Sequence, residues 1–161
     1  MKKQSVFRML WILHIVLGFL VTGMLLLPAL IYNETNTFTG LQVAFGYQFS
    51  SLGEWVSGDI ELSLLTIIAY LLPMFSSIYL IMKKNGFYIS LFTNVAAVSL
   101  LALVPVFTVV TVTLLGTQTT VDVEWTYGIG LTLAIICSII SVMISLYVIA
   151  YRVAKKSKAI F

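Results

Sequence analysis

Long apolar runs alternate with short polar stretches along this chain. Four runs reach the length of about 20 helical residues that a hydrocarbon core requires, at 9–31, 60–82, 87–110 and 125–151. Polar segments at 32–59 and 111–124 and a tight link at 83–86 separate them. The pattern predicts an all-α membrane protein, a single integral domain over 1–161 built as an antiparallel four-transmembrane-helix bundle. Lys83-Lys84-Asn85-Gly86 suits the end of one helix and the start of the next, with cations near the carbonyl end and a glycine for the left-handed cap.

The first polar segment carries a pattern of its own. Leu41, Val43, Phe45, Tyr47 and Phe49 alternate with smaller or more polar residues, the period of a one-faced strand. Val121, Val123 and Trp125 alternate with Thr120, Asp122 and Glu124 in the second segment. Residues 32–39 are a candidate partner strand, with Gly40 in the turn. A small antiparallel sheet over the helix ends would satisfy these backbone groups. The competing reading is a short amphipathic cap helix, since Leu41, Phe45 and Phe49 also fall at i, i+4 and i+8. The sheet is preferred.

The third apolar run is too long for its task. From Phe87 to Gly116 a continuous helix would extend about 45 Å, against roughly 30 Å of hydrocarbon. After Pro105 the run is rich in Val and Thr, which favours extended structure. Two outcomes are open, a helix that projects with a kink at Pro105 or a strand in place of its last turns, and projection is preferred.

Composition sharpens the membrane reading. Of the 161 residues, 60% are hydrophobic and 9% charged, against about 25% charged in soluble domains. All nine Lys and Arg fall on one side of the threading: Lys2, Lys3, Arg8, Lys83, Lys84, Arg152, Lys155, Lys156 and Lys158. The six acidic residues, Glu34, Glu54, Asp59, Glu61, Asp122 and Glu124, fall on the other. By the positive-inside rule both termini are cytoplasmic in a plasma-membrane protein. The net charge of +3 therefore implies no nucleic-acid partner. The first run outlasts the roughly 7–15 residues of a signal-peptide core and lacks a clear cleavage site, so an uncleaved span is expected. Trp11, Phe87, Tyr88 and Tyr151 mark the inner boundary, and Tyr32, Trp55, Trp125 and Tyr127 the outer one.

Small or polar residues recur at helical spacing in every run. The stripes are His14, Gly18 and Thr22; Ser63, Thr66, Tyr70, Pro73 and Ser77; Ser90, Asn94 and Ala97; and Gly130, Ala134, Ser138, Ser141 and Ser145. They are expected to face one another, because small residues let helix backbones approach in lipid. His14 lies about 9 Å inside Arg8 at helical rise. Asn94, Ser77 and Ser145 fall at similar depth, which predicts a buried polar layer around a neutral histidine. An ionisable group at that depth is a functional candidate, although no carboxylate is available to make it a proton relay.

Other chemistry is thin. Glu54, Asp59, Glu61, Asp122 and Glu124 form a candidate outer acidic cluster, but their spacing fits no cation loop, and carboxylates also suit the helix N-termini on that side. No metal or cofactor is expected. Asn33-Glu34-Thr35 fits a glycosylation sequon. Cys137 is the one cysteine and has no activating base nearby in sequence. No catalytic triad, metal motif or nucleotide loop occurs, so no enzymatic activity is expected.

Four spans, a longer first outer loop with strand signals and a short second one resemble the arrangement of claudin-type tetraspan proteins. That family's outer-loop signature joins a Trp, a Gly-Leu-Trp triplet and a cysteine pair. Here Gly40-Leu41 is followed by Gln42 and the loop has no cysteine, so a sealing role does not carry over. The expected function is an interaction or accessory subunit in the bilayer. Phe38, Leu41, Phe45, Tyr47, Phe49 and Trp55 would meet another membrane protein or a second copy. The alternative is a transporter or channel component using the polar layer around His14.

Overall fold

The computed structural model describes residues 2–32, 36–51, 56–83 and 85–157. The chain enters as helix α1 (Lys2–Gly23), which tightens into a 3-10 turn at Met24–Leu26. Pro28 then starts strand β1 (Pro28–Tyr32), followed by β2 (Asn36–Thr39). A proline lacks the amide that would continue a helix, and it is tolerated as the first residue of a strand.

Helix α2 (Gly40–Phe45) comes next, set by a reciprocal cap. Thr39 Oγ1 accepts from the Gln42 amide at 3.3 Å, and Gln42 Oε1 accepts from the Thr39 amide at 2.8 Å. Gly46, at φ 86°, ends it in a conformation open to glycine. Strands β3 (Tyr47–Ser51) and β4 (Val56–Ile60) lead to helix α3 (Leu64–Met82), capped by Ser63 Oγ accepting from the Thr66 amide. Helix α4 (Phe87–Ala102) returns, and the four-residue helix α5 (Val104–Phe107) carries Pro105 in its first turn. Strands β5 (Val110–Leu114), β6 (Thr117–Val121) and β7 (Thr126–Tyr127) precede the long helix α6 (Ile129–Ser157).

These strands correct the all-α expectation. The fold is mixed, with the described residues 67% helical and 20% strand and two antiparallel sheets ordered β2-β1-β7 and β3-β4-β5-β6. The expected third span, 87–110, is also shorter than read. Among the described residues three helical segments, Val6–Leu26, Leu64–Met82 and Ile129–Lys155, are long and apolar enough to cross a membrane, and Phe87–Ala102 is a shorter apolar helix. The physical reason lies after Ala102. The Val/Thr run does not project as helix but pairs as β5 with β4 in continuous register, from Val56 opposite Leu114 to Ile60 opposite Val110. Extended backbone here finds partners on both sides, because β6 closes the hairpin.

The outer loop resolves the sheet-or-helix alternative by using both. Residues expected as one strand divide at Gly46 into α2 and β3, and Gly40 opens a helix instead of a turn. A strand after residue 32 is present as β2, but it pairs with β1, the end of the first apolar run.

Helix α1 lies against α3 and α6, and α4 lies against the same two, so the four long helices surround a common interior. All are joined to the sheets at one end. Two apolar clusters fill the space. One gathers Val21, Ala29, Leu30, Phe38, Ile60, Tyr70 and Leu131 where helices meet sheets, and the other gathers Leu17, Leu80, Phe87, Ile144 and Val148 towards the far end. The outward faces are also apolar, with Met9, Phe75, Phe92 and Met143 all exposed. Such a continuous apolar exterior is uncommon in water.

Candidate functional site

Four helices bring polar side chains into the interior, and each arrives through its small-residue stripe. Every member of those stripes is buried except Thr22, which is half-buried and donates to the Tyr70 carbonyl at 2.9 Å. Gly18 permits the closest approach. A methyl group there would meet Ser77 Oγ and the Pro73 carbonyl, so α1 rests directly on the α3 backbone.

A chain of hydrogen bonds runs through this interior. Asn94 Nδ2 donates to Ser76 Oγ at 2.9 Å and to the Ser90 carbonyl at 2.7 Å. Ser76 Oγ donates to Ser90 Oγ at 2.7 Å, and Ser90 Oγ lies 2.8 Å from His14 Nε2. Ser145 Oγ lies 3.0 Å from the same nitrogen. A hydroxyl has one proton to give. If Asn94 donates to Ser76 and Ser76 to Ser90, the Ser90 proton points to His14 Nε2, and the ring proton resides on Nδ1. His14 Nδ1 and Asn94 Oδ1 are buried and have no hydrogen-bond partner. Tyr70 Oη and Ser138 Oγ share that condition.

Of the four residues expected in the polar layer, His14, Asn94 and Ser145 meet through side chains in this chain. Ser77 is buried beside them and touches only the backbone. Its hydroxyl donates to the Pro73 carbonyl one turn back at 3.0 Å and reaches the His14 carbonyl at 3.5 Å. Ser76 takes the place foreseen for Ser77. Ser76 and Ser77 are adjacent and point about 100° apart on a helix, so only contact with α4 decides which one faces Asn94. Ser90 was visible as a stripe residue, but not as the hub joining α3, α4 and α1.

The outer carboxylates do not gather into one site. Asp59 accepts from Ser57 Oγ at 3.0 Å on β4, and Glu61 accepts from Thr111 Oγ1 at 2.7 Å. Asp122 and Glu124 lie exposed after β6. No group of three or more His, Cys, Asp or Glu side chains able to hold a metal occurs among the described residues. Glu54 and Trp55 lie outside the described residues, as does the sequon 33–35.

The expected partner face divides. Phe38 turns inward, with its ring centroid 5.6 Å from Phe49, 5.7 Å from Trp125 and 6.2 Å from Tyr47, and it ties the two sheets together. Leu41, Phe45, Tyr47 and Phe49 remain exposed.

No family model, curated protein or solved structure matches this chain. The geometry therefore carries the functional argument alone. A serine hydroxyl against a histidine nitrogen is the arrangement of an activated nucleophile. Here His14, Ser90 and Ser145 are all at 0% exposure, and no acidic residue of the sequence lies on their stretches of helix. None of the three side chains is open to solvent. The network is suited to joining helices, since interhelical hydrogen bonds in lipid contribute about 0.6 to 2 kcal/mol each.

Proposed function

We propose that this chain is a non-enzymatic multi-pass membrane protein that acts as an interaction or accessory subunit, presenting its sheets to another membrane protein or to a second copy. The apolar exteriors of the helices would meet lipid. The charge pattern supports the orientation: among the described residues, Arg8, Lys83, Arg152 and Lys155 sit at the helix ends remote from the sheets, and Asp59, Glu61, Asp122 and Glu124 at or beside the sheets. Both termini would then be cytoplasmic in the plasma membrane, with the sheets on the opposite face.

The observation that carries the reading is the free edge at β6. All five residues of this strand are exposed, it is terminal in its sheet, and its hairpin tip displays Leu114 and Leu115 at 52% and 76% exposure. An uncovered edge strand offers a row of backbone groups to a strand from another chain. The test is a photo-crosslinking residue at Thr119 in the native membrane, with Ile136 on the outward face of α6 as comparison. A discrete protein adduct at Thr119 that is absent at Ile136 supports the reading. Lipid adducts alone at both positions overturn it.

A second reading, a transport component built around the His14 layer, is favoured by the two unpartnered polar atoms, His14 Nδ1 and Asn94 Oδ1. Liposome flux that changes on replacing His14 would select it over the first.

A further inference from the structure

At the sheet end of the bundle, a half-open cavity of about 380 Å³ lies between α5 and the segment that leaves β6. Its volume falls within that of small-molecule sites, about 300 to 1,000 Å³. Pro105, Val106 and Val109 line it from α5 and the approach to β5, and Val121, Asp122 and Trp125 line it from the end of β6 and the residues after it. Thr108 also borders the space, but its hydroxyl is turned to the Val104 carbonyl at 2.8 Å. The lining is thus mainly apolar, with a carboxylate and an indole set into it. Trp125 is held in place by two other rings, in edge contacts with Tyr32 at 6.2 Å and Phe38 at 5.7 Å between centroids. Val106 is exposed, and so is Leu103, whose carbonyl accepts from the Val106 amide one turn back. Apolar surface therefore continues from the cavity towards α4.

We propose that this cavity binds an organic ammonium ion bearing an apolar chain, with the cationic head between Asp122 and Trp125 and the chain along Val106 and Leu103. The carboxylate supplies the opposite charge, and an indole face is the best aromatic surface for a quaternary ammonium group. A hard metal ion is a poor guest, because Ca²⁺ takes about six to eight oxygen ligands and these walls are mostly valine and proline. An anion would be repelled by Asp122. Among the described carboxylates, Asp59 and Glu61 accept from Ser57 and Thr111, and Asp122 is the one that lines the cavity. The position suits an amphiphile. Helix α5 follows the sheet end of the apolar helix α4, so a chain lying on Leu103 leaves the cavity beside exposed Val95 and Phe92. The same head site would also accept a soluble ammonium ion. The place of the chain depends on membrane placement, and neither head nor chain depends on the docking of the sheets.

Full-length protein in maltoside detergent is titrated with octyltrimethylammonium, octyl sulfate and tetramethylammonium, and bound adducts are counted by native mass spectrometry. The expected result is saturable binding of octyltrimethylammonium, at least tenfold tighter than that of octyl sulfate and weakened at least tenfold by Asp122→Asn. Asp122 is exposed, so this variant should keep the parent melting temperature. Asp122→Glu keeps the charge and should lose no more than severalfold. Val109→Trp fills the cavity while leaving the carboxylate, and should abolish binding. Glu124→Gln removes a neighbouring carboxylate that does not line the cavity, and should leave binding unchanged. Tetramethylammonium binding as tight as that of octyltrimethylammonium would overturn the place of the chain and assign the site to a soluble ammonium ion. Failure of both ammonium ions to bind overturns the proposal, as does undiminished binding by Val109→Trp. Equal loss on Glu124→Gln does so too, because the attraction would then be diffuse.

Discussion

Ser90 of α4 places its hydroxyl oxygen 2.8 Å from Nε2 of His14 in α1, although 76 residues separate them. The contact crosses the interior and makes Ser90 the node where α3, α4 and α1 are joined, since Ser76 donates to the same hydroxyl. Ser90→Ala should therefore cost more than the loss of one surface hydroxyl, because it leaves both Ser76 and His14 short of a partner. A destabilisation of about 1 to 2 kcal/mol is expected by reversible unfolding in mixed micelles. A double-mutant cycle with His14→Leu should return a coupling of roughly 0.5 to 1.5 kcal/mol. Additive losses would show that the pair contributes nothing to holding the helices together.

Gly18 is the second sensitive point. Replacing it with Leu sets a side chain against the Pro73 carbonyl, which is backbone and cannot rotate away. The α1–α3 contact would have to open, and folded monodisperse protein should be lost on size-exclusion chromatography. Gly18→Ala should lower the melting temperature by several degrees. Combining Gly18→Ala with Ser77→Ala removes the Ser77 hydroxyl from the clash but leaves Pro73, so only partial recovery is expected. Full recovery would mean that the side chain alone sets the approach.

The stripes were legible because burial in lipid and burial in protein select different residues. Leu, Ile and Phe suit either environment, whereas Gly, Ser and Asn lose most when left facing acyl chains. Hence Gly18, Ser90, Asn94 and Ser138 could be assigned to the interior from spacing alone. The sheets were only half legible. Alternation around Tyr47 and Phe49 gave β3, but β1 is hidden in the tail of an apolar run, where Ala29 and Leu30 look like the last turn of a helix. Its strand state depends on pairing with β2 and β7, which lies outside the local pattern. The same holds for β5, whose Val110–Leu114 sequence tolerates helix or strand until β4 lies beside it. The capping box at Thr39 and Gln42 was a readable helix signal, overshadowed by the alternation that runs through it. Arg8 and Arg152 read as topology markers, because nothing in spacing reveals that they line one cavity.

The β5–β6 hairpin turns through Leu115 and Gly116, at φ 50° and 83°. Leucine is a poor residue for that position, since its Cβ crowds the following carbonyl at a cost of about 1 to 2 kcal/mol. An Asn-Gly pair would have signalled the turn; Leu-Gly does not. Leu115→Asn should raise stability by several tenths to about 1 kcal/mol in thermal unfolding, as asparagine visits this region readily. If the exposed leucine is kept for a partner, the same substitution should lower the Thr119 crosslinking yield while the protein becomes more stable. Unchanged yield would remove the hairpin tip from the docking surface.

Segregated charge makes the orientation directly measurable. With Cys137 replaced by Ala, no native thiol remains to react. Thr119→Cys on β6 and Ala154→Cys near the end of α6 are both exposed positions at opposite ends of the helices. In intact cells a membrane-impermeant maleimide should label Thr119→Cys, and should reach Ala154→Cys only after permeabilisation. The expectation follows from the cost of moving Arg152 and Lys155 across the bilayer, against the ease with which the uncharged Thr/Gln strand crosses. Labelling of both positions in intact cells would place the two helix ends on one side, and the sheets would then not face the compartment assigned to them.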